Sequence, residues 1–164
     1  GSDPNSASIQ TGVCKSGDGT YGQCNDSDNH DYIYFPDING DRLPDLCYRS
    51  DDQGIVCRIA DTAGGWADGA LISTNTCANG GSIGDGGCDG SDNYKTISFV
   101  DINGDGLDDL VYRGDQAGMV VKYSVGDAFV DGFEDSKCRD GDNTNGKCND
   151  DDNHNYIYYN HNLS

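Results

Sequence analysis

Apolar residues in this chain come in short runs, each bounded by clusters of Asp, Asn, Gly and Ser. Tyr32 to Phe35 is aromatic and β-branched, and Leu46-Cys47-Tyr48-Arg49 and Ile55 to Ile59 follow it. Runs of this length between turn residues read as strands. The stretch SDDQG, Ser50 to Gly54, ends in glycine and predicts a hairpin between the second and third. Gly65-Trp66 then leads toward a fourth strand, Ala70 to Thr76, anchored by Ile72. The order is restated as Thr96 to Val100, Leu110-Val111-Tyr112-Arg113, the turn GDQAG, Met119 to Tyr123, and Phe129 in the place of Trp66.

Ser6 to Val13 reads as a weak strand whose Ile9 matches Ile72, and Tyr156 to Tyr159 opens a further copy. A period of about 60–64 residues holding four short strands is the pattern of a propeller blade or a stacked β array. The predicted fold is therefore all-β, with tandem four-stranded antiparallel repeats in one continuous domain. Its parts are an orphan strand at 1–13, repeats at 14–76 and 77–137, and a partial repeat at 138–164. The two orphan strands would leave unpaired edges in a monomer. Pairing with other copies of the chain would cover them, in a ring or a filament.

Between the first and second strands of each full repeat lies a matched polar loop, DINGDRLPD from Asp37 to Asp45 and DINGDGLDD from Asp101 to Asp109. Side-chain oxygens fall at positions 1, 3, 5 and 9: Asp37, Asn39, Asp41 and Asp45, then Asp101, Asn103, Asp105 and Asp109. The carbonyls of position 7, Leu43 and Leu107, would add a ligand to each. Alternate oxygens on a tight loop suit a hard cation. Calcium accepts roughly six to eight oxygens in irregular geometry, whereas magnesium demands a near-octahedral, partly hydrated site. Neither loop offers His or Cys, which disfavours zinc and copper. An EF-hand needs Glu at position 12, where these loops carry Tyr48 and Tyr112. At least two calcium ions per chain are predicted. The bland alternative is a pair of polar turns.

Composition sharpens this. The formal net charge is -19 over 164 residues, and apolar residues make up 34%. A chain so acidic is a poor partner for nucleic acid or anionic membrane, and it favours bound cations, because clustered carboxylates repel. No apolar run reaches the ~18–20 residues of a membrane span. Eight cysteines predict disulfides and an extracellular protein. Positions 47 and 57 become Val111 and Val121 one repeat later, a joint exchange that fits facing positions on adjacent strands. That predicts Cys47–Cys57. The pairs Cys14–Cys24, Cys77–Cys88 and Cys138–Cys148 recur at one place in successive repeats and are predicted to close local loops, each contributing about 3 kcal/mol. Asn25 and Asn162 open N-glycosylation acceptor patterns, and Asn75 opens a rare variant of one.

The aromatic-x-Asp-x-Asn-Gly-Asp-x-x-x-Asp pattern, followed by an apolar strand and a Gly-ended hairpin, resembles the FG-GAP/VCBS repeat family. That family includes the calcium-binding blades of integrin α-subunits and several lectin propellers. The resemblance covers two full repeats and part of a third, and implies the metal role for the eight side chains named above. Two departures stand out. Position 6, usually Gly, is Gly106 in the second loop but Arg42 in the first, and the Phe-Gly and Gly-Ala-Pro signatures are missing. If position 6 needs positive φ, Arg42 costs about 1 kcal/mol and weakens the first site.

The remaining candidates have plain readings. His30 and His154 occupy one repeat position within acidic turns, as solvated histidines or as pH or metal sensors. Tyr48-Arg49 and Tyr112-Arg113 either pack and answer local charge or touch a ligand. Asp26/Asp28, Asp89/Asp92 and Asp150 to Asp152 are candidates for further calcium, and Trp66 with Phe129 reads as blade core rather than a sugar platform. No spacing supports a catalytic set. The sequence thus predicts a secreted, calcium-binding, structural or adhesive repeat protein that partners itself. A lectin-type module binding glycan, or an extracellular protein ligand, is the alternative.

Overall fold

A computed structural model describes residues 32–50, 53–62, 65–66, 71–74, 76–78 and 95–139. The strands expected at 6–13 and 156–159, the acidic clusters, His30, His154, Asn25, Asn75, Asn162, and Cys14, Cys24, Cys88 and Cys148 lie outside these residues. The described residues form two four-stranded antiparallel sheets and no helix. The first contains β1 (Ile33–Tyr34), β2 (Leu46–Ser50), β3 (Gly54–Arg58) and β4 (Leu71–Ser73), side by side in chain order. The second contains β5 (Ser98–Val100), β6 (Asp109–Gly114), β7 (Gly118–Ser124) and β8 (Phe129–Asp135), again in chain order.

Each sheet is a meander held by hairpins of one design. Ser50 pairs with Gly54, and Gly114 with Gly118. Gly54 and Gly118 have φ of 69° and 87°, the left-handed region that the turn requires. A Cβ on Gly54 would also overlap the Thr76 carbonyl, and one on Gly118 the Asp135 and Lys137 carbonyls, so both positions exclude larger residues. Cys47 faces Cys57 across β2–β3, just as Val111 faces Val121 across β6–β7. Ile55 turns its N–H to Thr76 and its carbonyl to Thr74, away from β2. Cys57, two residues on, therefore faces Cys47 in a non-hydrogen-bonded pair, the closer of the two antiparallel spacings. Their Cα atoms lie 4.1 Å apart and a disulfide joins them. Cys77 and Cys138 are disulfide-bonded too, to partners outside the described residues.

The sheets meet by unlike faces. Strand alternation gives the first sheet one face bearing Cys47, Ile55, Cys57 and Ile72 and another bearing Leu46, Tyr48 and Val56. The main core joins Ile38, Cys47, Ile55, Cys57 and Ile72 to Phe99, Leu110, Tyr112 and Val120. So the cysteine-bearing face of the first sheet packs on the tyrosine-bearing face of the second. Tyr48 and its neighbours form a separate cluster with Ile33 and Trp66, and Val100, Val111 and Val121 form a third. Matching residues consequently live in different places. Phe99 is 8% exposed, while Phe35 at the same repeat position is 57% exposed.

Trp66 and Phe129 play one role in two sheets. Trp66 packs beside Phe35 with ring centroids 5.6 Å apart, and Phe129 beside Phe99 at 6.2 Å. Trp66 lies outside any strand, whereas Phe129 opens β8. The four residues of the two Tyr-Arg pairs are all buried. Arg49 Nε donates to the Cys77 carbonyl at 3.3 Å and Arg113 Nε to the Cys138 carbonyl at 2.6 Å. Both acceptor cysteines are left-handed, with φ of 64° and 66°. A buried guanidinium is tolerated only when it is bonded. The packing reading of these pairs therefore describes them, with each arginine clamping the backbone at a disulfide-bonded cysteine, Cys77 or Cys138.

Candidate metal loops

The segments 37–45 and 101–109 link β1 to β2 and β5 to β6. In both, the polar side chains bend back onto the amides of their own loop. Asp37 accepts the N–H groups of Gly40 at 2.7 Å and Arg42 at 2.8 Å, one on each oxygen. Asn39 Oδ1 accepts from the Asp41 amide, and Asp41 Oδ1 from the Leu43 amide. The second loop repeats the pattern: Asp101 accepts from Gly104 and Gly106, Asn103 from Asp105, and Asp105 from Leu107. The amide nitrogens of Asn39 and Asn103 in turn donate to Asp41 and Asp105. Positions 1, 3 and 5 are thereby gathered on one exposed turn. Short side chains with an acceptor two or three bonds from the backbone favour such turns.

Position 6 is left-handed in both loops, with φ of 68° at Arg42 and 90° at Gly106. The condition for strain at Arg42 is met, at a cost of about 1 kcal/mol relative to glycine.

Position 9 differs from the other three. Asp45 and Asp109 are fully buried. Asp45 accepts the Ile38 amide on one oxygen at 2.9 Å and the Ala60 amide on the other at 2.7 Å. Asp109 accepts from Ile102 at 3.0 Å and from Ser124 at 2.9 Å. Asp45 thus ties the start of its loop to Ala60, just after β3, and Asp109 ties its loop to Ser124, the last residue of β7. Burial pushes both carboxyls above their ordinary value, and the backbone N–H donors oppose that. Nearby loop carboxylates, Asp37 and Asp41 for Asp45 and Asp105 for Asp109, push in the same direction as burial. A cation in the turn would relieve the like-charge part.

The residues read from spacing therefore divide. Asp37, Asn39 and Asp41 are brought together on the turn, as are Asp101, Asn103 and Asp105, while Asp45 and Asp109 are buried and each accepts two backbone amides. Leu43 and Leu107 are half-buried. Among the described residues no three His, Cys, Asp or Glu side chains group into a metal cage on their own. What each turn offers is two carboxylates and an amide oxygen, an all-oxygen set that suits calcium and no softer metal.

Two residues that are not among the expected ligands, Asp108 within the second loop and Ser124 at the end of β7, bear on the first loop. Asp108 Oδ2 accepts the Asp37 amide at 3.0 Å, and the Asp108 amide donates to the Asp37 carbonyl at 2.9 Å. The Ser124 hydroxyl donates to the Ile38 carbonyl at 2.6 Å. Local spacing carries no signal for either, since their targets lie in the other sheet. No family model, curated protein or solved structure matches this chain. Among the described residues no helix is long and apolar enough to cross a membrane.

Proposed function

We propose that the chain is an extracellular, calcium-binding β-repeat protein of the FG-GAP/VCBS type, with a structural or adhesive and non-catalytic role. One observation carries the proposal: two loops, one in each sheet, gather Asp, Asn and Asp on an exposed turn through the same set of amide bonds. The packing of unlike faces supports the blade reading, because such contacts stack units head to tail. Asp37, Asn39 and Asp41 would hold one ion and Asp101, Asn103 and Asp105 another, with the Leu43 and Leu107 carbonyls and water completing the shells. Calcium here is architectural: it neutralises carboxylates that otherwise repel across a strand connection.

Calorimetric titration is expected to find two calcium ions per chain, with 101–109 the tighter site because Arg42 strains the other. Asp105→Ala should remove one of them and lower the melting temperature in calcium, while leaving it nearly unchanged in chelator. Absence of calcium binding up to millimolar concentration in the oxidised protein would defeat the proposal.

Self-association through the apolar stretches at 6–13 and 156–159 belongs to the same reading. Light scattering in calcium should find a multimer that deletion of residues 1–13 dissolves. A compact full-length monomer at micromolar concentration would count against it. The half-exposed pair of Phe35 and Trp66 favours a second reading, a lectin-type module in which a sugar stacks on the aromatic rim. Glycan-array binding that a simple sugar competes away, and that Phe35→Ala abolishes, would select it.

A further inference from the structure

The two candidate calcium loops share a sequence pattern and differ in their neighbours. The second sheet's connections hold the start of the first loop. Asp108 exchanges two hydrogen bonds with Asp37, one through its carboxylate and one through its amide. Ser124 bonds the Ile38 carbonyl through its hydroxyl and Asp109 through its amide. Leu107 lies close against Gly40, such that a Cβ there would come within 2.9 Å of its Cδ2. Ile38 is 0% exposed as a result, whereas Ile102, its counterpart in the second loop, is 41% exposed.

The first sheet carries no equivalent of these two side chains. In the first sheet the positions matching Asp108 and Ser124 hold Pro44 and Ala60. Proline offers neither an N–H nor a carboxylate, and alanine offers no hydroxyl. The first loop also has the greater need, since Arg42 holds it in a conformation that glycine adopts without strain. Asp37 stands at position 1 and orders the turn by accepting the Gly40 and Arg42 amides, so fixing its backbone fixes the oxygens around it.

We infer that Asp108 and Ser124 are positioning residues for the 37–45 loop, so that the second sheet completes this site. The inference rests on the calcium reading for its ligand, and on geometry alone for the brace.

The test compares wild type with Asp108→Ala, Asp108→Asn, Ser124→Ala and Ser124→Thr, and with Asp127→Ala as a control for the loss of one exposed negative charge. Calcium alone is the probe, by calorimetric titration of the oxidised full chain. Losing one such hydrogen bond should weaken the 37–45 site by about tenfold, and Ser124→Ala, which keeps the amide that serves Asp109, should leave the other site unchanged. Asp108→Asn keeps an oxygen for the Asp37 amide and Ser124→Thr keeps the hydroxyl, so both should stay within about threefold of wild type. Amide hydrogen exchange in chelator gives a readout that needs no metal. The Gly40 and Arg42 amides should exchange about tenfold faster in the alanine variants, with those of Gly104 and Gly106 unmoved. Equal weakening of both sites, parity of the alanine and conservative variants, or unchanged exchange at Gly40 and Arg42 would each overturn the brace. A wild-type protein that binds no calcium would instead defeat the proposed function, and the exchange rates would still decide the brace.

Discussion

Asp109→Ala is expected to destabilise the protein by about 2–5 kcal/mol, and to do so in chelator as much as in calcium. The carboxylate is buried and serves two amides, those of Ile102 and Ser124. Removing it leaves both donors without an acceptor, at about 1–3 kcal/mol each. Desolvation of the carboxylate, which pushes its pKa up, offsets part of that gain in the wild type and keeps the estimate moderate. Typical domains have about 5–15 kcal/mol of stability in all, so the loss is severe. Asp109→Asn should fall between, since an amide oxygen still serves one donor while its NH2 confronts the other. Urea denaturation in chelator measures this. The contrast with Asp105→Ala separates the roles, because position 5 is exposed and its loss should register only when calcium is present. A neutral Asp109→Ala in chelator, combined with lost calcium binding, would reassign the residue from backbone tie to simple ligand.

The Cys47→Val, Cys57→Val double variant should fold to the same structure and lose about 3 kcal/mol, the chain-entropy value for so short a closed loop. The second sheet already carries this solution: Val111 faces Val121 in the same register, with both residues buried. Valine fills the space that the sulfurs leave. Alanine does not, so the corresponding Ala, Ala variant should cost a further ~1–3 kcal/mol through cavities in the core between the sheets. Thermal unfolding under oxidising conditions ranks the three proteins. Equal stability of the Val and Ala variants would show that the pair adds no packing beyond the bond.

The first three strands of each sheet were legible in the sequence because each apolar run is short and bounded by turn residues, whereas β8, mostly exposed and polar, was not. The hairpins were legible because their glycines sit where only φ > 0 fits. The Cys47–Cys57 bond could be read from its joint exchange for valine, since a facing pair is replaced together or not at all. The trio at positions 1, 3 and 5 followed from period-two spacing on a turn. Burial at position 9 was hidden. Nothing near Asp45 or Asp109 in sequence announces that the amides of Ala60 and Ser124 will arrive from the far end of the third strand. Asp108 and Ser124 were hidden for the same reason, their targets being in another sheet. The different fates of Phe35 and Phe99, or of Ile38 and Ile102, follow from which face of each sheet is covered. That choice is tertiary and leaves no mark on a local pattern.

The bonds across the seam link residues 71 and 86 positions apart, whereas the disulfide-bearing hairpin closes over a separation of 10. Loop closure costs more for distant partners, and local pairings form sooner. Each meander should therefore assemble first and the two sheets should dock afterwards, so that mutations at Ile38 or Ser124 speed unfolding while those in the hairpins slow folding. An undocked intermediate would expose Phe99, Leu110, Tyr112 and Val120 together, making the docking step the one at which this protein is most prone to aggregate.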